Sequence, residues 1–315
     1  MPRVAIFGAA GAVGHAVGAE LARRGIGFRV VGRSAARLAE AFRGTPGAEP
    51  LAADLTTPES AEAAASGIDT VVYAVGVPYD RFTLHPALMA ATLDGAARAG
   101  VARLVVVSSV YSYGPPRTPR VAETHPREPE ARKGEMRRRQ EDLVIKASAR
   151  GRVKAIVLHL PDFYGPHAEH SLANPIVRAA LAGKGATWLG PVDLPHEFVF
   201  VPDVGPVVAD LATRDDVWGH RWNLAGAGTI TPRDFMTAAY RAAGHEPRWR
   251  SVGKLALRLA GLTNPLLREL VEMHYLQTTP VLLDDAKLQA KLGPIRKTPY
   301  SEGIARTLDW MRPRA

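Results

Sequence analysis

Three glycines, Gly8, Gly11 and Gly14, follow the apolar run Val4 to Phe7, and only small or slender residues, among them Ala10, Ala12 and Val13, stand between them. Small residues at this spacing let backbone amides and a helix N-terminus approach a pyrophosphate that a larger side chain would hold off. A mononucleotide P-loop is disfavoured, because His15 follows Gly14 where a lysine and a hydroxyl residue would be needed. The next apolar run ends Val30-Val31-Gly32-Arg33-Ser34, with no acid to bond the ribose hydroxyls of NAD. Arg33 with the Ser34 hydroxyl, and Arg37 one helical turn on, suit a 2′-phosphate, so NADP is the expected cofactor and NAD the weaker candidate. Further along, Tyr111 follows Ser109 by two, which puts both on one side of an extended segment. Lys133 and Arg137 are four apart and share a helical face.

The elements that must position these residues alternate. Val13, Val17 and Leu21 are spaced as one face of a helix, Gly25 closes it, and Phe28 to Val31 reads as a second strand, completing a βαβ unit. Helices are expected over 35–42, after Thr57-Pro58-Glu59, over 83–99 and over 133–149; strands are expected over 50–53, 69–75, 104–107 and 153–158. The rhythm predicts an α/β protein with a doubly wound (Rossmann) parallel sheet. Asp54 and Gly76 then fall at strand C-termini, where such sheets hold ligands. Beyond Pro161 the pieces shorten and prolines multiply, which predicts a dinucleotide-binding domain over 1–160 with a return segment near 197–226. A smaller substrate lobe is expected from 161–196 and 227–315. The proline-rich stretch 114–132 reads as a loop.

The 315 residues contain no cysteine, which removes thiolate nucleophiles, disulfides and cysteine zinc cages and favours a cytoplasmic protein. No membrane span or signal layout is visible, so no membrane partner is expected. Net charge is +9, but the densest basic run, Arg132 to Arg139, includes Glu135 and is followed by Glu141 and Asp142, a mixed-charge helix face rather than a nucleic-acid surface. No Gly-x-Ser-x-Gly elbow or His-Glu-x-x-His helix supports a hydrolase. His167, His170, Glu169 and Asp162 match no metal spacing, so no metal site is expected.

Taken in order, these motifs resemble the extended short-chain dehydrogenase/reductase superfamily, specifically its NAD-dependent epimerase/dehydratase group. The glycine spacing is similar to that family's fingerprint, Ala53-Asp54-Leu55 to its adenine-contacting element and Ala74-Val75-Gly76 to the turn after its fourth strand. Val107 to Gly114 resembles its strand-five serine motif, which implies Ser109 as the catalytic serine. Pro161-Asp162-Phe163-Tyr164-Gly165-Pro166 is similar to the element carrying nicotinamide and substrate contacts, implying roles for Pro161 and Phe163. Phe198 to Val204 resembles the return strand, and Ser301 to Trp310 the closing helix.

The chain departs from the family at one point of consequence. The tyrosine and lysine four apart on the fifth helix are missing: anchored on Glu141, Lys133 takes the tyrosine position and Arg137 the lysine position, and no tyrosine occurs between Tyr113 and Tyr164. The resemblance implies hydride exchange at nicotinamide, with a serine polarising a carbonyl or hydroxyl of a small polar substrate. Lys133 and Tyr111 are then alternative proton donors. Tyr79, His85 and Tyr164 are further substrate-side candidates. The alternative is a non-catalytic NAD(P)-binding sensor. A homodimer through the alanine-rich fourth helix (Ala87, Ala90, Ala91, Ala97) is also expected from the resemblance.

Overall fold

The computed structural model describes residues 3–169 and 171–312, apart from the side chain of Leu266. Strands and helices alternate through the first half as β1 (Val4–Phe7), α1 (Ala12–Arg23), β2 (Phe28–Gly32), α2 (Ala35–Ala41), β3 (Ala48–Ala52), α3 (Pro58–Ala65) and β4 (Thr70–Tyr73). A 3-10 turn at Tyr79–Arg81 leads into α4 (Leu84–Arg98), β5 (Arg103–Ser109), a second 3-10 turn at Val110–Ser112, α5 (Arg132–Ala149) and β6 (Lys154–Leu160). Local chemistry explains the starts. The Ser34 hydroxyl accepts from Arg37 N at the head of α2, and Thr57 accepts from Ser60 N at the head of α3, where Pro58 supplies a pre-set first turn.

The remaining elements are β7 (Asp162–Tyr164), α6 (Asn174–Leu181), β8 (Ala186–Trp188), β9 (Phe198–Phe200), α7 (Val201–Thr213), β10 (Arg221–Asn223), α8 (Pro232–Ala242) and β11 (Trp249–Ser251). They are followed by α9 (Lys254–Ala260), α10 (Pro265–Val271), α11 (Tyr275–Thr278), α12 (Ala286–Leu292) and α13 (Tyr300–Met311). Seven parallel strands form the main sheet in the order β10-β6-β5-β4-β1-β2-β3. Apolar clusters cover both faces: Val17, Leu21, Val204 and Val208 belong to one, Leu88, Met89, Val106 and Val144 to the other. A parallel sheet buried on both sides needs such continuous apolar strands, and β1 and β4 are buried throughout.

Strand order reverses at β1, which has β4 on one side and β2 on the other. Ligands of open α/β sheets settle at that crevice, beyond the strand C-termini.

The segment resembling a return strand does form a strand at Phe198–Phe200, but not in the main sheet. It pairs with β7 in a separate two-stranded sheet, and β10 is the strand that joins β6. The chain turns helical at Val201, with Pro202 in the first turn. That helix, α7, lies so close to α1 that a Cβ on Gly205 would sit 2.4 Å from the Ala16 carbonyl oxygen. The lobe built on β7, β8, β9 and β11 has its own aromatic core of Tyr164, Trp188, Phe198, Phe200, Phe235 and Tyr240.

Candidate cofactor and active site

The three glycines of the first turn have three different reasons. Gly8 takes φ +83°, and a Cβ there would lie 2.7 Å from the Ala74 carbonyl oxygen, so the turn passes directly over the end of β4. At Gly14 a Cβ would meet the Gly8 carbonyl oxygen at 2.6 Å, which fixes how closely α1 can dock on β1. Gly11 differs from both: it is exposed, a Cβ would touch only the Gly8 oxygen at 3.3 Å, and it caps α1 without any side-chain hydrogen bond. The first amides of α1 therefore face open space, a place for an anion. Ala10, Ala12 and Val13 are half-buried beside it.

Arg33 and Arg37 are exposed, and neither guanidinium has an ion pair or hydrogen bond among the described residues. Ser34 is half-buried, with its oxygen engaged as the α2 cap. Asp54 is exposed just past β3, while Leu55 beside it is buried in the core. Ala74 and Val75 are half-buried and Gly76 exposed at the end of β4.

At the other end of the crevice, β5 and β6 run in register, Ser109 opposite Leu160. This brings Ser109 beside the Pro161-Asp162-Phe163 segment. Neighbouring serines diverge in role: Ser108 donates to Glu141 Oε1 at 2.6 Å, whereas Ser109 Oγ is buried with no hydrogen-bond partner. Glu141 anchors a closed network with Arg127 at 3.1 Å and His159 at 3.2 Å; burial acts to raise its pKa, but His159, Ser108 and Arg127 hold it down to about 2. Tyr113 continues the network by donating to Asn223 Oδ1 at 2.7 Å. These contacts tie β5, α5 and β6 together.

Past Ser109 the chain leaves the extended conformation for the Val110–Ser112 turn, so Tyr111 is placed by that turn and not by strand alternation. Its hydroxyl lies 2.8 Å from that of Tyr79. Burial pushes Tyr79 up to about 12 and Tyr111 well above the usual phenol range. Helix α5 reaches this turn because Gly134 leaves room: a Cβ there would stand 2.5 Å from the Tyr111 carbonyl oxygen. Arg137 is thereby set among Tyr73, Tyr79 and Tyr111, its guanidinium 5.4 Å over the Phe82 ring and donating to Gln140 at 2.9 Å, with Nε unpartnered. Burial lowers its pKa.

Lys133 shares that face, lines a cleft with Tyr79 and lies 5.7 Å over the Tyr79 ring, but its ammonium is already engaged. It is 3% exposed, and its ammonium donates to Glu269 Oε2 and Glu272 Oε1, each at 2.6 Å. These carboxylates belong to α10 and the turn after it, a pairing so distant in sequence that no local pattern announces it. Two of the expected substrate-side residues are also core residues. His85 is fully buried against Phe82, and burial pushes it down to about 2. Tyr164 is fully buried among Phe200, Phe235 and Tyr300 in the second lobe. In each case the position on its helix or strand turns the ring inward. Tyr79 alone of the three lines the cleft.

Asp162 was passed over in the sequence as a carrier of protons. It is half-buried, its carboxylate makes no hydrogen bond among the described residues, and it lies within electrostatic reach of Tyr79, Tyr111 and Tyr275. Burial pushes its carboxyl up to about 6. The available signal was an acid placed immediately after Pro161 at the end of a buried strand. A cleft of about 660 Å³, lined by Tyr79 and Lys133, opens between the Tyr79 turn, the start of α5 and helices α9 and α10. His167, one histidine of the metal spacing considered above, stacks on His15 at 3.7 Å, and His170 lies outside the described residues. Among the described residues no three His, Asp or Glu side chains cluster as metal ligands, and no helix is long and apolar enough to cross a membrane.

Residues 8–149 match a family model described as NAD(P)H-binding. No curated protein matches the chain. Solved structures do. The UDP-glucose 4-epimerase of Thermus thermophilus in complex with NAD aligns with a TM-score of 0.79 at 20% identity, covering 98% of each chain. UDP-glucuronic acid 4-epimerase from Bacillus cereus with NAD gives 0.80 at 15% identity, again covering 98% of each. The dTDP-glucose 4,6-dehydratase of Bacillus anthracis str. Ames with NAD gives 0.82 at 14% identity, covering 98% of this chain and 96% of that one. The chain thus has the fold of these NAD-bound epimerases and dehydratases, and its residues 8–149 match the NAD(P)H-binding family model.

Proposed function

We propose that the protein is an NADP-dependent oxidoreductase or epimerase-like enzyme acting on a small polar carbonyl or hydroxyl compound. The observation that carries this reading is Ser109 Oγ, buried without a partner at the C-terminal end of β5, two residues before Tyr111, whose hydroxyl is paired with that of Tyr79. A buried hydroxyl left without a partner costs stability, and a ligand oxygen would satisfy it. The glycine turn fits the pyrophosphate of a dinucleotide, and the unpaired Arg33 fits a 2′-phosphate; Asp54 and the 74–76 turn would flank the adenosine half, and Pro161, Phe163 and Arg137 the nicotinamide half. When bound, the nicotinamide would give or take the hydride.

The chain's own residues divide the remaining work. Ser109 would donate to the reacting oxygen. Tyr111, supported by Tyr79, would hold that oxygen from the second side. Asp162 would exchange the proton, since its carboxyl, pushed up to about 6, changes charge close to neutral pH, whereas the Tyr111 phenol is held firmly protonated. Lys133 would position rather than react, tying α5 to α10. The sugar-nucleotide ligands of proteins sharing this fold make nucleotide sugars one class worth offering alongside simpler carbonyl compounds.

A non-catalytic sensor is the second reading, favoured by the Lys133 ion pairs that stand where the family would place its reactive phenol. Purified protein with NADPH or NADP, offered a panel of carbonyl compounds, alcohols and nucleotide sugars, decides between them. Turnover that Ser109→Ala and Asp162→Asn abolish supports the enzyme. Tight nucleotide binding with no turnover across the panel supports the sensor.

A further inference from the structure

Between residues 247 and 268 the chain holds five basic residues, Arg248, Arg250, Lys254, Arg258 and Arg268, and no acidic one. Helix α9 lies inside this stretch and turns apolar side chains outward. Leu255 is 73% exposed, Leu259 61% and Leu262, just past the helix end, 81%, the three most exposed large hydrophobic residues among those described. Their spacing of four and then three continues one helical stripe, and Lys254 and Arg258 flank it without an ion pair among the described residues. Leu257, on the opposite side, is buried and holds the helix down. The stripe is therefore apolar at its crest and basic at its margins. Lys254, Arg258 and Leu262 also rim the cleft.

We infer that this face docks on an anionic lipid surface, lying on the bilayer rather than crossing it, with the mouth of the cleft turned toward the headgroups. Leucines enter the acyl boundary while lysine and arginine stems reach back to headgroup phosphates, the arrangement by which interfacial helices bind. A second copy of the chain is a poorer occupant, because a two-fold contact would set this wholly basic stretch against itself. The expectation of no membrane partner rested on spanning segments and signal layouts, and a contact of this kind needs neither.

The test reads binding, not turnover, and so stands apart from the proposed chemistry. The purified protein is floated with phosphatidylcholine vesicles, with and without phosphatidylglycerol, at low and high salt. The account expects flotation with the anionic vesicles, weakened about tenfold or more by neutral lipid, by high salt, by Leu255→Ser/Leu259→Ser/Leu262→Ser, and by Lys254→Gln/Arg258→Gln. These positions are exposed, so the far-ultraviolet circular dichroism spectrum and the melting temperature serve as the folding control and should not move. Failure of wild type to float, or equal flotation with neutral vesicles, overturns the proposal. So does a self-associated or protein-bound state that the leucine variant disperses in the absence of vesicle binding.

Discussion

Arg33 and Lys133 are both cations at the C-terminal edge of one parallel sheet, and they have opposite circumstances. Arg33, in the nucleotide half, is exposed and unpaired; Lys133, in the reactive half, is buried and held by two carboxylates at 2.6 Å. The contrast extends around them. The glycine turn is shaped by backbone, with Gly8 and Gly14 at distances that leave no room for a Cβ and an exposed Gly11 at the head of α1. The other end is built from side chains, some satisfied by one another, as Ser108 by Glu141 and Tyr79 by Tyr111, and others, Ser109 Oγ and Arg137 Nε among them, without a hydrogen-bond partner. Backbone constraints change little when side-chain chemistry is altered, so a turn of this shape does not depend on which side chains stand at the end of β5.

The largest effect should come from filling the backbone side of that contrast. Gly14→Val places a branched side chain 2.6 Å from the Gly8 carbonyl oxygen, so α1 must shift. NADPH affinity measured by fluorescence titration is expected to fall by about a hundredfold or more, with soluble yield reduced. An affinity within about threefold of wild type would mean that the glycine turn does not seat the nucleotide.

On the reactive side, Asp162→Asn should cost about 10²- to 10⁴-fold in kcat once a substrate is known, with nucleotide affinity nearly unchanged. Its titration has a second reading. The carboxyl moves from an ordinary 3.8 to about 6 on folding, so across that window the folded protein carries the extra proton and stability should decline as pH rises from 3.8 to about 6. The full contribution is on the order of 2–3 kcal/mol, present at the acid end of that window and lost at its upper end, and Asp162→Asn should flatten that slope in chemical-denaturation curves. An unchanged slope would place the titration elsewhere.

Lys133→Met sharpens the comparison from the other direction. Removing the ammonium leaves Glu269 and Glu272 facing each other half-buried, and unfolding free energy should drop by about 1–3 kcal/mol. Per-site turnover should stay within about threefold, whereas a loss of about 10² or more with unchanged stability would return Lys133 to the role of proton donor. Arg33→Ala is the smallest expected change, about tenfold weaker NADPH binding with NADH unaffected, the worth of one exposed charge-assisted contact.

What could be read from the sequence follows the same division. The glycine turn, the βαβ rhythm and the absence of an acid near Arg33 are local patterns, and each lies within a few residues of what it positions. The strand at Phe198–Phe200 was visible as a strand, but its partner was not, because pairing with β7 depends on where the second lobe folds back. Lys133 shows the limit most clearly: its carboxylates come from helices far along the chain, and spacing on its own helix says nothing of them. His85 and Tyr164 looked like site residues by type, and the inward turn of their positions made them core. Asp162 is the converse, an ordinary residue type whose carboxyl is pushed up to about 6 by a burial that its neighbours in sequence do not announce.

The decisive measurement is a structure of the protein with NADPH bound. It is expected to show the pyrophosphate on the Gly11 turn, the 2′-phosphate against Arg33, and the nicotinamide ring ending beside Ser109, with a reacting atom held at C4 about 3–3.5 Å away and within hydrogen-bond reach of Ser109 and Tyr111. A nucleotide whose nicotinamide is turned away from Ser109 and Asp162, or whose 2′-phosphate leaves Arg33 untouched, would contradict the proposed site.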